Sequence, residues 1–142
     1  MPDPIARPCP LPLPLPHSES QRLVLRCLRR MAAHGVHDAQ AALWVFECFG
    51  LGFRRPLVLL RGFVLEIAQF SQRRIQVAHC CALRMTHDEA RLIGVLATAA
   101  ESPACAHRHL RELTGGDDAA SPFSLALAFN AALEELGRPL VL

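Results

Sequence analysis

The stretch Arg54-Arg-Pro-Leu-Val-Leu-Leu-Arg-Gly-Phe-Val-Leu-Glu-Ile-Ala-Gln-Phe70 decides the fold. Leu57, Leu60, Val64 and then Ile67 or Ala68 recur at helical spacing, and Leu59, Phe63 and Phe70 widen that stripe. Pro56 suits the first turn of a helix, where its missing amide would be unpaired anyway. A helix apolar over most of its circumference must be covered from several sides. This segment is therefore expected at the centre of a helical domain, with Arg73 and Arg74 in its last turn, where cations favour the dipole.

Upstream, Ser18-Glu-Ser-Gln21 offers a capping box. Leu23, Val24, Cys27, Leu28 and Met31 follow on one face, Arg22, Arg26, Arg29 and Arg30 on the other, and Gly35 ends the helix. Asp38 caps a second helix, Ala39 to about Phe49, closed by Gly50 and Gly52. Downstream, Ile75 to Val77 reads as a short extended segment before a His79-Cys80-Cys81 loop. Thr86-His-Asp-Glu89 is a second capping box, opening a helix to about Ala100. Ser102-Pro103 and Ser121-Pro122 start two more, ended near Thr114-Gly-Gly116 and Gly137. Six helices without a convincing alternating strand give an all-α, single compact domain over residues 18–142, packed around residues 56–72.

Residues 1–17 stand apart as a Pro/Leu-rich arm. Proline at every second position from Pro10 to Pro16 removes amide donors and fixes φ, which bars helix and central strand. The expected state is an extended, polyproline-like strap on the domain, or disorder.

The composition, 51% hydrophobic and 20% charged, is that of a globular chain. No apolar run reaches the roughly 18–20 uncharged residues of a membrane span. The N-terminus lacks the basic-then-apolar order of a secretory signal, so a cytoplasmic location and free thiols are expected. All fifteen basic residues are arginine. Twelve of them fall in residues 1–91 against seven acids, and three in residues 92–142 against six, so the two halves are suited to attract each other or an acidic partner.

The densest cluster of reactive side chains is His79, Cys80 and Cys81, followed by Met85 and His87. Thiolate and imidazole are soft or borderline donors, suited to zinc or copper, but zinc ligands usually come in pairs spaced by two to four residues. Cys105 and His109, on one helix face at i,i+4, would have to complete such a site. Near a cation such as Arg84 or His79, the same thiols suit redox sensing, and in the bland alternative they merely fill space between helices. Arg22, Arg26, Arg29 and Arg30 form a basic face for a partner or for nucleic acid, although no recognition-helix signature accompanies them. Arg61, alone in an apolar run, either binds an anion, pairs with a carboxylate such as Glu66, or snorkels to water. No nucleophile, base and orienter can be assembled from the linear order, so catalysis is not expected.

The runs Arg54-Arg-Pro-Leu-Val-Leu-Leu-Arg61, Cys80-Cys-Ala-Leu-Arg-Met-Thr86 and Arg29-Arg-Met-Ala-Ala-His-Gly35 resemble a small bacterial family of functionally uncharacterised all-helical proteins. The resemblance covers most of the chain beyond the arm. It implies one helical domain and carries no activity, cofactor or assigned site. The expected function is non-enzymatic interaction with a protein partner or a second copy, through the arm and the basic face of the first helix. Thiol-based metal or redox sensing comes second, and arginine-driven nucleic-acid binding third.

Overall fold

A computed structural model describes residues 13–117 and 119–140. Six helices are present: α1 (Glu19–His34), α2 (Ala39–Phe49), α3 (Arg54–Phe70), α4 (His87–Thr98), α5 (Pro103–Thr114) and α6 (Ala120–Glu135). Two short strands, β1 (Leu13–Pro14) and β2 (Arg84–Met85), pair antiparallel, Leu13 opposite Met85 and Pro14 opposite Arg84. The domain is all-α and compact. Residues 1–12 of the arm lie outside the described residues; its end is the strand that straps onto β2.

The caps set the helix boundaries. Ser18 and Asp38 accept the amides of Gln21 and Ala41 at 3.4 and 2.9 Å. Thr86 and Glu89 complete both halves of the capping box of α4. α5 ends on Gly115 at φ 74°, a left-handed conformation that a residue with a Cβ adopts only with strain. α5 starts at Pro103 with Ser102 at its N-cap, as the sequence reading has it, but two details at the helix starts differ. Ser102 makes no side-chain cap, and α6 begins at Ala120, which places Ser121-Pro122 inside its first turn.

α3 is shorter than its sequence suggests. It stops at Phe70, and the Gln72 amide donates to the Thr114 carbonyl at 2.6 Å. Arg73 follows, donating to the carbonyls of Glu112 and Leu113 at 3.3 and 3.0 Å. This cation therefore serves the C-terminal dipole of α5, not that of its own helix. Ile75–Val77 does not form a strand.

The core lies between α1, α3, α4 and α6. α4 is covered most completely, burying Leu92, Ile93, Val95 and Leu96 against α1, α5 and α6. α5 approaches it closely at Gly94, where an added Cβ would sit 2.9 Å from Nε2 of His109. α3 buries Leu57, Leu60, Phe63 and Ile67, chiefly toward α6. Its outer side leaves Val58 and Leu65 61% and 53% exposed.

Candidate functional site

The loop between α3 and α4 is held from beneath by a buried ion pair. Arg29 and Glu89 are 2% and 0% exposed. Nε of Arg29 donates to Oε2 of Glu89 at 2.6 Å and Nη2 to Oε1 at 3.1 Å, a bidentate fork. Two of the three remaining guanidinium N–H groups reach the carbonyls of Ala82 and Arg84, each at 2.8 Å. Glu89 also accepts the amides of Thr86 and Ala78, at 2.9 and 3.3 Å. One arginine of α1 and one glutamate of α4 thus fix residues 78–86. A pair removed from water needs this full set of partners to offset its desolvation.

Asp88 makes a second anchor. Its carboxylate is gripped by Arg73 at 3.0 and 3.1 Å, by Arg91 at 2.9 Å and by the Gln76 amide at 2.8 Å. Burial pushes its pKa up, yet these donors outweigh burial and hold the carboxyl below the usual range. Asp38, bonded to Arg30 at 2.9 and 3.0 Å and to the Ala41 amide, is drawn down to about 2. His109 is lowered as well, chiefly by burial. Each of these groups has a folded pKa below its unfolded value. Their stabilisation is therefore present above the unfolded pKa and is lost as pH falls through the folded one. Urea midpoints should decline modestly below about pH 6.5 as His109 opposes protonation, then steeply between about pH 4 and 2. A His109→Gln variant should flatten only the first part; an unchanged profile would mean that the imidazole titrates freely in the fold.

A cleft of about 560 Å³ lies on the outer side of α1. Leu15 of the arm, Leu23 and Leu25 of α1 and Leu83 of the loop supply its apolar lining. Trp44 of α2 stands in the wall with the Arg26 guanidinium 4.8 Å from its ring centroid, a cation–π contact. Arg22 and Arg138 also line it, with Glu19 and Glu47 as the acids. Arg22 donates to the Pro16 carbonyl at 2.6 Å, tying the arm to α1. Among the described residues, none of Arg22, Arg26 and Arg138 forms an ion pair. Leu83, 83% exposed, projects from the tip of the loop beside Cys80 and Cys81.

The expected basic face of α1 is therefore only partly a face. Arg22 and Arg26 are exposed, but Arg29 is buried in the Glu89 pair and Arg30 is engaged by Asp38. Arg29 is the correction, and its cause is coverage by the loop and the arm. Gln21, Leu25 and Arg29, at i, i+4 and i+8, make a buried stripe that the helical spacing of the arginines alone does not reveal. An apolar Leu25 between Arg22 and Arg29 was the available signal. Among the described residues Arg61 does not pair with Glu66; its Nε donates to the Val36 carbonyl at 2.8 Å, tying α3 to the α1–α2 connection.

The thiols divide by depth. Cys27 is in the core, its Sγ 3.8 Å from the Ala41 carbonyl, and burial pushes it up to about 12. Cys48 is raised too, chiefly by burial. Cys80 and Cys81 are exposed, with sulfurs 3.6 Å apart, and the Cys81 amide donates to Nδ1 of His79 at 3.3 Å. Cys105 and His109 sit on α5, half-buried, and Nδ1 of His109 is buried without a partner. Among the described residues, no three His, Cys, Asp or Glu side chains are placed to hold a metal ion together. The ligand set that sequence suggested for zinc or copper, His79, Cys80 and Cys81 with Cys105 and His109, is not brought together.

Among the described residues, no helix is long and apolar enough to cross a membrane. No curated protein and no solved structure matches the chain. Residues 7–138, which take in every helix, both anchors and the cleft, match DUF6628, a family of unknown function, and the chain belongs to that family.

Proposed function

We propose that the domain is a non-enzymatic binding module whose cleft receives a segment of a partner protein, one with an apolar anchor flanked by acidic side chains. The observation that carries this reading is the Arg26–Trp44 stack in the wall of a cleft lined by leucines. Tryptophan and arginine are the side chains on which binding energy most often concentrates. Three cleft arginines with no ion pair among the described residues stand against two glutamates, which favours an acidic segment. The free thiols suit a reducing compartment such as the cytoplasm.

A photoreactive residue in place of Leu83 tests this in cells. A discrete cross-linked protein is expected, and its yield should fall about tenfold or more with Trp44→Ala or Arg26→Glu. Cross-linking that ignores both substitutions would remove the cleft from the reading. A product of twice the chain's mass would make the partner a second copy. Binding to oligonucleotides that weakens steeply with salt would recast Arg22, Arg26 and Arg138 as phosphate contacts.

A further inference from the structure

Cys80 and Cys81 occupy the two central positions of a turn, closed by the Ala82 amide donating to the His79 carbonyl at 3.1 Å. Both side chains are exposed, and both line the cleft that Arg22, Arg26 and Arg138 also line. Below the turn, Arg29 holds the carbonyls of Ala82 and Arg84, so the thiols stand at a fixed place above the cleft.

We propose that Cys80 is a site of reversible mixed-disulfide formation with an anionic low-molecular-weight disulfide of the glutathione class, and that the attached group seats in the arginine-rimmed cleft. The Cys80 thiol gives its proton to solvent, and the thiolate attacks one sulfur of the small disulfide. A bond forms between that sulfur and Cys80 while the original sulfur–sulfur bond breaks. The departing small thiolate carries away the electron pair and takes up a proton. Cys80 is thereby oxidised and half of the small disulfide reduced; a second small thiolate attacking the adduct reverses the step.

The position favours this thiol over its neighbours. Attack requires a negative sulfur, and Cys80 is exposed on a cleft that Arg22, Arg26 and Arg138 also line. The Cys81 thiol is pushed up, chiefly by its hydrogen bond with Cys80, and keeps its proton to higher pH. Cys48, in the same cleft, and Cys27, in the core, are raised by burial. A cleft of about 560 Å³ has room for a tripeptide-sized group, and its arginines match carboxylates. The inference stands apart from the partner reading, because it is read on the adduct itself.

The test is intact-mass spectrometry of the reduced full chain incubated with glutathione disulfide, with peptide mapping of the adduct. One glutathionyl group per chain is expected, on Cys80, absent in Cys80→Ser and removed by reduced glutathione. Its rate should exceed that with the uncharged 2-hydroxyethyl disulfide by roughly tenfold, and Arg26→Glu with Arg138→Glu should erase that preference. Circular dichroism checks that these surface variants remain folded. An adduct mapping to Cys81, Cys48 or Cys105 would overturn the assignment of Cys80. Equal rates for the charged and uncharged disulfides would overturn the seating in the cleft.

Discussion

Replacing Glu89 with alanine is expected to lower the free energy of unfolding by about 3–5 kcal/mol, a large share of what a domain of this size possesses. The side chain is fully buried and accepts four hydrogen bonds, two from Arg29 and one each from the amides of Thr86 and Ala78. Its removal leaves the Arg29 guanidinium charged, 2% exposed and without a carboxylate. It also strips the capping box of α4 of one half. Urea denaturation gives the magnitude, and hydrogen exchange gives the place: the amides of Ala78 and Thr86 should lose protection first. Arg29→Lys should lose much of the same stability, because one ammonium cannot serve two carboxylate oxygens and two carbonyls in a fixed plane. A double variant with methionine at both positions should be less damaged than the sum of the singles, since it leaves no buried charge. If Glu89→Ala cost less than about 1 kcal/mol, the pair would have to be hydrated and the loop open.

The same pair marks the limit of what the sequence made legible. Helix starts were readable wherever a side chain caps its own helix: Ser18, Asp38 and Thr86 act within three residues, and the structure keeps all three. Glu89 was readable as a capping-box residue, and Asp88 as an acid favouring the dipole of α4. Neither reading revealed an arginine sixty residues away or one fifteen residues away. Arg29 was assigned to the exposed face because 22, 26, 29 and 30 share helical spacing. Periodicity describes one helix against one core, whereas α1 is covered on a second side by the loop and the arm. The cleft was invisible for the same reason. Its walls come from the arm, α1, α2, the 80–83 loop and Arg138, and only the fold makes them neighbours. The Cys80–Cys81 pair was legible, since adjacency in sequence secures proximity in space. What sequence could not supply was the cleft that the pair lines together with Arg22, Arg26 and Arg138.

Phe63→Ala is the second large effect, about 3–5 kcal/mol, and its value lies in the comparison it permits on one helix. Phe63 is fully buried on α3, and truncating it leaves a cavity that α6, packed opposite, closes only in part. Val58 and Leu65 lie seven residues apart on the outer side of the same helix, so they share a face, and both are largely exposed. In an isolated domain, Val58→Ala and Leu65→Ala should change stability by no more than about 0.5 kcal/mol in urea titrations. This separates the two meanings of a sequence apolar around most of a helix. Should Leu65→Ala approach the cost of Phe63→Ala, with an unfolding midpoint that rises with protein concentration, a second copy must cover α3. A partner would then already occupy that face, and the cleft beside Trp44 would have to be tested on the dimer. Small, concentration-independent effects leave α3 an outward surface of the monomer, and the Arg26–Trp44 cleft the first place to look for a partner.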